Sequence, residues 1–280
     1  MQQHFQQSSQ VNFSRGTDGA YTASSGKLQF KTAFQPIFRT VQGQLKIAGH
    51  EALLRVAFEG VTVSPGVLFN RLRPEDRLTV EATSRALHIT NSRSIKDDRN
   101  LIFINFDPSL MSAEGSIDRL MDDIVYRVRL AGKAPRQFVC EITEQAVTNP
   151  SVVDHFAHGM RARGFLLAVD DYGAAASNRL RINRLYPDIV KFDAVTVRSA
   201  FRTPKRYARL IDEVKRLHSR GISVVLEGLE TINHVDLAIR SGSDMFQGFG
   251  LAKPRIAPAS FPEWATKSDA VELHKQLAAI

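Results

Sequence analysis

The sequence contains a single cysteine, Cys140, so it cannot form an intramolecular disulfide framework. One thiol fits a reducing compartment, and we expect a cytoplasmic protein. No apolar run approaches the roughly 20 residues needed to cross a bilayer, so the sequence predicts no membrane span. The first residues are rich in Gln, Ser and Gly and lack the apolar core of a signal peptide. We interpret residues 1–26 as a flexible leader.

Motifs for several common binding functions are also absent. The chain has no Gly-x-Gly-x-x-Gly run and no Gly-rich loop ending in Lys-Ser or Lys-Thr, which argues against dinucleotide and P-loop binding. No zinc-finger spacing or RNA-binding motif accompanies the basic residues, so sequence-specific nucleic-acid binding is not expected. The 37 Lys and Arg exceed the 29 Asp and Glu and give a formal charge of +8, which favours an anionic partner such as a nucleotide.

Short apolar runs alternate with helix-like segments along most of the chain. Eight runs are typical of buried strands: LQFKTAFQPIF, LKIAGHEALLRV, LIFINF, FVCEIT, FLLAVDDYG, DIVKFD, ISVVLEGLE and MFQGF. This alternation predicts an α/β fold with mostly parallel strands. Eight repeats in 280 residues favour a single closed (β/α)8 TIM-like barrel, a fold of about 250 residues. We assign residues 27–265 to the barrel and residues 266–280 to a C-terminal helix that packs on it.

Polar side chains stand near the ends of these runs. They are Gln35, Glu51, Asn105, Glu141, Asp170, Asp171, Lys191, Glu227 and Gln247. In TIM-like barrels the active site lies where the strand C-termini converge. The five carboxylates of this set cannot all be ionised and close together without cations, and one lysine would not neutralise them. Oxygen donors without a His or Cys cluster suit Mg²⁺ or Mn²⁺.

A site with this many carboxylates could hold two divalent ions about 3.5–4 Å apart, which activates water and stabilises phosphoryl displacement. The adjacent pair Asp170 and Asp171 is a natural way to build a bridging ligand. The residues alone therefore indicate metal-dependent hydrolysis or lyase chemistry on an anionic substrate, and they leave the substrate open. A Schiff-base aldolase that uses Lys191 also fits a barrel, but it leaves the carboxylates unexplained.

An ordered series of motifs resembles the EAL-domain cyclic di-GMP phosphodiesterases. The motifs are Gln35-Pro36-Ile37, Glu51-Ala52-Leu53-Leu54-Arg55, Asn105, Glu141-Ile142-Thr143-Glu144, Asp170-Asp171-Tyr172-Gly173, Lys191-Phe192-Asp193, Glu227-Gly228-Leu229-Glu230-Thr231 and Gln247-Gly248-Phe249. The resemblance implies a metal-dependent phosphodiesterase that hydrolyses cyclic di-GMP to linear pGpG. Such enzymes act in the bacterial second-messenger signalling that regulates biofilm formation and motility.

The resemblance also implies roles for individual residues. The ligands of two Mg²⁺ or Mn²⁺ ions would be Glu51, Asn105, Glu141, Asp170, Asp171 and Glu227, with Asp170 as the bridge. The catalytic groups would be Lys191, Glu227 and Glu51. The substrate contacts would be Gln35, Leu54, Arg55 and Gln247. Supporting positions around the site, including the anchor of the loop after Asp171, would be Glu144, Asp193 and Glu230.

The sequence departs from the family pattern in two places. After the paired aspartates the family usually carries a Gly-Thr-Gly-Tyr-Ser-Ser-Leu-like loop linked to dimerisation, whereas residues 173–180 read GAAASNRL. The second departure from the family pattern is in residues 63–78, in the region that covers substrate. Neither change removes a proposed metal ligand. The implied partners are cyclic di-GMP, a second copy in a homodimer and a regulatory protein. The alternative to catalysis is a non-catalytic EAL-type cyclic di-GMP receptor or protein-binding regulator.

Overall fold

Strands and helices alternate along most of the chain. A computed structural model describes residues 10–107, 116–142, 150–173 and 178–257. The strands of these residues are β1 (Asn12–Arg15), β2 (Tyr21–Ser25), β3 (Leu28–Val41), β4 (Gln44–Phe58), β5 (Val61–Val63), β6 (Leu101–Phe106), β7 (Phe138–Ile142), β8 (Leu166–Tyr172), β9 (Ile189–Phe192), β10 (Ser223–Leu226), β11 (Met245–Phe246) and β12 (Arg255–Ile256).

Helices connect the parallel strands. The α-helices of the described residues are α1 (Pro65–Phe69), α2 (Pro74–Asn91), α3 (Ser116–Leu130), α4 (Pro150–Ala162), α5 (Asn178–Leu185), α6 (Ala194–Ala200), α7 (Pro204–His218) and α8 (Ile232–Arg240). Several begin at capping residues that the sequence encodes. Ser64 accepts a hydrogen bond from Val67 N at the start of α1, and Thr203 accepts one from Arg206 N at the start of α7. Helix α6 was not predicted from the sequence.

Eight strands close a barrel in the order β3, β4, β6, β7, β8, β9, β10 and β11. Strand β3 runs antiparallel to both of its barrel neighbours, β4 and β11, and the remaining neighbours run parallel. The predicted TIM-like α/β barrel with mostly parallel strands is confirmed. Its reversed β3 follows from the tight turn at Gln42 and Gly43, where both residues have positive φ and send the chain straight back as β4.

The long β3–β4 hairpin extends beyond the barrel and carries a small second sheet region. Strands β1 and β2 add to β3, and β5 adds to β4. The main chain of Tyr21 exchanges two hydrogen bonds with the Asn91 side chain at the end of α2, at 2.7 and 2.9 Å. Ala23 and Ser25 of β2 are buried. The structure thus has strands β1 and β2 where the sequence predicts a flexible leader, and residues 1–9 lie outside the described range.

The main apolar core lies between the barrel strands and the surrounding helices. Outward-facing strand residues such as Cys140 and Val190 pack there against helix residues such as Met121 and Phe156. Burial raises the pKa of the Cys140 thiol, which makes it an inert core side chain. No helix within the described ranges is both long and apolar enough to cross a bilayer. The predicted C-terminal helix at 266–280 lies outside the described residues.

Candidate active site

The lower part of the barrel interior is filled by one apolar residue from each strand. The eight residues are Ile37, Ala48, Phe103, Val139, Ala168, Ile189, Val225 and Met245. Side chains two positions apart on a strand lie on the same face. Each strand can therefore place one further inward-facing side chain above this apolar layer, at the end where the parallel strands finish.

The sequence-predicted site residues occupy these next positions. Each of the following lies two residues from the apolar residue of its own strand: Gln35, Asn105, Glu141, Asp170, Lys191, Glu227 and Gln247. Because β3 runs in the opposite direction, Gln35 precedes Ile37 instead of following it. A single layer of side chains thus collects residues separated by more than 200 positions in the sequence.

Glu51 reaches the same layer through an irregularity in the β3–β4 pairing. The register shifts between Ile37 and Phe38, which places Gly49 opposite Ile37 and Glu51 opposite Gln35. Gly49 is required here because a Cβ atom would come within 2.7 Å of Leu101 O. No sequence motif predicts this bulge, which turns the Glu51 side chain toward the other acids.

Lys191 lies at the centre of the acidic layer. Its Nζ is 2.5 Å from Glu141 Oε1, 2.6 Å from Glu227 Oε1, 3.4 Å from Asp170 Oδ1 and 3.7 Å from Glu51 Oε1. The lysine side chain is only 1% exposed. Burial by itself would lower the pKa of Lys191, but the surrounding carboxylates outweigh it and raise that pKa well above its ordinary value. The ammonium is therefore protonated and acts as a fixed positive charge.

Two carboxylates next to Lys191 have raised pKa values. Burial raises the pKa of Glu141 well above its ordinary value, and Glu51 and Asp170 add to the rise against the opposing effect of Lys191. Burial likewise raises the pKa of Glu227 to about 8. Glu141 Oε2 is buried and makes no hydrogen bond to any described residue. One ammonium does not satisfy this set of acids, as the sequence predicts.

Asp170 and Asp171 lie in a bulge at the end of β8. Val169 pairs with Val190 and Tyr172 with Phe192, so β8 contains one more residue than β9 between these pairs. Asp171 adopts a φ of +55°, in the left-handed region. In a regular strand two successive side chains point to opposite faces. The extra residue interrupts this alternation at Asp170 and Asp171.

Three amide side chains lie beside the carboxylates of the acidic layer. Gln247 Nε2 donates to Glu51 Oε2 over 2.6 Å, which fixes one carboxylate oxygen of Glu51. Gln35 Nε2 donates to Ala252 O at 3.1 Å and joins β3 to the segment after β11. Asn105 is exposed at the mouth and lies beside Glu141 in the β6–β7 register. The predicted amide positions thus surround the carboxylates.

Several predicted residues do not join this layer. Leu54, a predicted substrate contact, is buried in the apolar cluster with Leu28 and Phe30, on the strand face opposite Glu51. Arg55 lies on the Glu51 face of β4 and donates to Leu54 O at 3.0 Å. Burial lowers the pKa of Arg55, and the nearby Glu51 opposes that change.

The predicted supporting residues have other local partners. Asp193 caps α6 by accepting hydrogen bonds from Thr196 N at 2.6 Å and from Thr196 Oγ1 at 3.2 Å. Glu230 is largely exposed and accepts a hydrogen bond from Arg198 Nη1 at 3.1 Å. Neither side chain is among the ion-pair partners of Lys191. Glu144 lies outside the described residues.

One polar network next to the site was missed from the sequence. The Tyr172 hydroxyl, which follows the aspartate pair directly, donates to Glu213 on α7 and accepts from Arg216 Nη2 at 3.1 Å. Glu213 lies 41 residues further along the chain. No sequence spacing connects it with β8, so only the packing of α7 against the barrel reveals the contact.

The donor chemistry of the site fits hard divalent cations. All its charged ligand candidates are carboxylates, and the buried Glu141 Oε2 has no hydrogen-bond partner in the described part of the chain. Across the described ranges, no three His, Cys, Asp or Glu side chains already converge as a preformed metal cage. In this structure four of the acids converge on the ammonium of Lys191, so the fit concerns the donor set and not a completed coordination sphere.

A wide surface cavity lies at the other end of the barrel. It has a volume of about 750 Å³ and is lined by residues at the opposite, N-terminal ends of the parallel strands, including Arg39, Leu101, Asp188 and Met245. None of the predicted site residues lines it. The predicted site residues lie in the acidic layer and not in this cavity.

Residues 21–254 match the family model described as the EAL domain. The chain is 25% identical over 221 residues to the blue light- and temperature-regulated antirepressor BluF of Escherichia coli, covering 76% of this chain and 53% of BluF. It is also 25% identical over 250 residues to the cyclic di-GMP phosphodiesterase PdeL of Escherichia coli, covering 86% of this chain and 66% of PdeL.

A solved structure shares the fold. The complex of Klebsiella pneumoniae BlrP1 with manganese and cyclic di-GMP superposes with a TM-score of 0.71 at 28% identity, covering 82% of this chain and 57% of that one. The chain thus spans only about half to two thirds of the length of these proteins. The family match covers most of this chain, including every residue of the acidic layer. The chain belongs to the EAL-domain family.

Proposed function

We propose that this protein hydrolyses cyclic di-GMP to linear pGpG in a reaction that requires divalent cations. The observation that carries the proposal is the buried Lys191 within reach of Glu51, Glu141, Asp170 and Glu227 at the mouth of an EAL-domain barrel. PdeL, which is similar over most of this chain, is a cyclic di-GMP phosphodiesterase. BlrP1 binds manganese and the same nucleotide on the same fold.

Two Mg²⁺ or Mn²⁺ ions would be held by the oxygen donors of the site. Glu51, Asn105, Glu141 and Asp170 would hold the first, and Asp170, Asp171 and Glu227 the second. When bound, such ions lower the pKa of water and neutralise charge that develops on the phosphoryl oxygens. The buried, unpartnered Glu141 Oε2 supports this assignment because a buried carboxylate oxygen without a partner is costly.

Lys191 would donate hydrogen bonds to the attacking water or to a phosphate oxygen. Its raised pKa keeps it protonated, so it suits charge stabilisation better than proton abstraction. Glu51 would act as a metal ligand. The Gln247 amide donates a hydrogen bond of 2.6 Å to one carboxylate oxygen of Glu51 and would hold that side chain in place. Glu227, whose pKa is raised by burial, would be the third catalytic residue beside Lys191 and Glu51.

The substrate phosphates and bases would meet the rim of the barrel. Arg55 lies on the same strand face as Glu51, and its guanidinium can bind a phosphate through two hydrogen bonds. Gln35 and Gln247 are buried amides beside this face. The formal charge of +8 favours the approach of a dianionic nucleotide. We place this activity in the cytoplasm.

Incubation of purified protein with cyclic di-GMP and Mg²⁺ or Mn²⁺ tests the proposal. We expect pGpG from the wild-type protein, no product after chelation of divalent metal, and loss of turnover in Glu51→Ala. Glu59→Ala is the matched control, because Glu59 is an exposed acid on the turn after β4 and pairs with Lys27. Turnover that persists in excess chelator would overturn the metal-dependent mechanism.

A non-catalytic regulator is the second candidate. BluF, which is similar over 76% of this chain, is an antirepressor, and residues 173–180 lack the usual loop sequence of the family. In that case the protein would bind cyclic di-GMP, or a partner protein, without hydrolysis. Stoichiometric nucleotide binding with unchanged nucleotide after prolonged incubation with Mn²⁺ would favour this function over the first.

A further inference from the structure

The end of β8 is held from outside the barrel at two successive residues. The Tyr172 ring packs on Phe192 in a T-shaped contact with a centroid distance of 4.9 Å. At Gly173, where φ is +107°, the main chain passes so close to α6 that a Cβ atom would lie 2.5 Å from Thr196 Cγ2. These contacts immediately follow the bulge that contains Asp170 and Asp171.

The Tyr172 hydroxyl joins this strand end to α7. It donates a hydrogen bond to Glu213 Oε1 and accepts one from Arg216 Nη2 at 3.1 Å. Arg216 in turn donates to both oxygens of Glu213, at 2.6 and 2.9 Å. The hydroxyl therefore has both a defined acceptor and a defined donor, which fixes its direction as well as its position.

The hydroxyl network is separable from the packing of the ring. Tyr172 is 4% exposed and its ring belongs to the main apolar core, so a phenylalanine would retain the ring contacts. The pair Glu213 and Arg216 would also persist without the tyrosine, because the two residues are spaced i, i+3 on one helix. The hydroxyl adds hydrogen bonds that link this pair on α7 to Tyr172, the residue directly after Asp171.

A bulge with a left-handed residue needs such support. A non-glycine residue with positive φ is disfavoured unless its surroundings hold it, and Asp171 has a φ of +55°. Local relaxation of β8 toward a regular strand would restore alternation and turn one aspartate away from the other. Tyr172 and Gly173 are the nearest restraints against that change on the C-terminal side.

We propose that Tyr172 is a positioning residue, whose hydroxyl, bound by Glu213 and Arg216 of α7, holds Asp170 and Asp171 in the arrangement that binds a divalent cation. The inference rests on the proposed function in one respect only, the assignment of these aspartates as metal ligands. It assigns α7 a role in metal affinity although no residue of that helix is among the proposed metal ligands. Mutation of residues that orient metal ligands without binding the metal commonly lowers metal affinity by about 10- to 100-fold.

The test is Tyr172→Phe, with Mn²⁺ affinity measured by the electron paramagnetic resonance signal of the free ion. We expect the Mn²⁺ dissociation constant to rise by about tenfold or more. Tyr207→Phe is the matched control. Tyr207 lies on α7, makes a T-shaped contact with Phe201 and donates its hydroxyl to Leu237 O at 2.8 Å, so Tyr207→Phe loses a comparable hydrogen bond remote from the aspartates. It should retain wild-type Mn²⁺ affinity.

Amide hydrogen exchange of the metal-free proteins gives a second readout. We expect faster exchange at residues 166–173 in Tyr172→Phe and unchanged exchange there in Tyr207→Phe. Equal Mn²⁺ affinity in Tyr172→Phe and wild type, or equal loss in both tyrosine variants, would overturn the inference, as would a wild-type protein that binds no Mn²⁺. Because hydrolysis is not a readout, a protein that binds Mn²⁺ but leaves cyclic di-GMP intact removes only the proposed function.

Discussion

Lys191 Nζ lies 2.5 Å from Glu141 Oε1 inside the barrel, where the two side chains are 1% and 0% exposed. Three further carboxylates, from Glu51, Asp170 and Glu227, surround the same ammonium. A buried charge is stable only when it is paired, so these groups depend on one another. The arrangement makes Lys191 a requirement for the stability of the metal-free protein as well as a candidate for catalysis.

Lys191→Met should therefore destabilise the metal-free protein strongly. Removal of one partner from a buried charge pair commonly costs about 3–5 kcal/mol, and we expect a loss of that size in urea unfolding in the presence of EDTA at pH 7. Lys27→Met is the control, because Lys27 pairs with Glu59 on the surface. Its effect should stay within about 1 kcal/mol. Equal effects of the two substitutions would show that the acids do not depend on Lys191.

Glu141→Gln should weaken metal binding. The substitution removes a charge and replaces a carboxylate oxygen that has no partner among the described residues with an amide. We expect the Mn²⁺ dissociation constant, measured by calorimetry, to rise by at least about tenfold. Glu59→Gln changes an exposed acid by the same chemistry and should leave the constant unchanged. An unchanged constant in Glu141→Gln would remove this residue from the ligand set.

Stability should fall with acid because of a buried histidine remote from the acidic layer. Burial, and to a lesser extent Arg55 and Arg85, lowers the pKa of His88 to about 3, while both ring nitrogens bond to hydroxyls of Thr32 and Ser84. An unfolded histidine titrates near 6.5. Between these values the unfolded chain binds a proton that the folded chain does not, so stability is present above pH 6.5 and is lost as the pH falls.

The contribution of His88 should amount to about 2 kcal/mol between pH 7 and pH 5. His88→Gln should make the decline in urea-unfolding free energy over this interval shallower by that amount. His50, whose pKa burial lowers to about 4, should continue to contribute. His158→Gln alters an exposed histidine and should preserve the wild-type decline. A decline as steep in His88→Gln as in the wild type would contradict the assignment.

Gly173→Ala should cost more stability than another substitution at positive φ. Gly221 has a φ of +74° and open space where a Cβ would lie, so Gly221→Ala measures the backbone cost alone, about 1–2 kcal/mol. At Gly173 the φ is +107° and the new Cβ would also press on Thr196. Thermal unfolding should show the larger loss for Gly173→Ala. Equal losses would mean that α6 moves aside without cost.

The sequence predicted the barrel because eight apolar runs alternate with helix-like segments, and it predicted the site because polar residues stand near the ends of these runs. Lys191, Glu141 and Glu227 each follow a short apolar run, and the period of two then places them above the apolar layer. The same period places Leu54 and Glu51 on opposite faces of β4. Leu53 and Arg55 share a face with Glu51, whereas Leu54 faces the apolar cluster beside Leu28.

Other features depend on partners that are distant in sequence. Strands β1 and β2 have a polar composition, because β1 is exposed throughout and β2 is only partly buried, and their order comes from pairing with β3 and from Asn91. The bulges that orient Glu51 and the aspartate pair appear only in the strand registers. Tyr172 likewise finds Glu213 only through the packing of α7.

Hydrolysis of cyclic di-GMP in ¹⁸O-labelled water, followed by mass spectrometry, tests the central claim most directly. Attack of water on phosphorus with cleavage of the bond to the 3′ oxygen predicts pGpG that carries one ¹⁸O on its 5′ phosphate. The label should appear with Mn²⁺ and the wild-type protein, and no labelled pGpG should form with Glu51→Ala. Cyclic di-GMP that binds at saturating Mn²⁺ but is recovered intact and unlabelled would contradict the account.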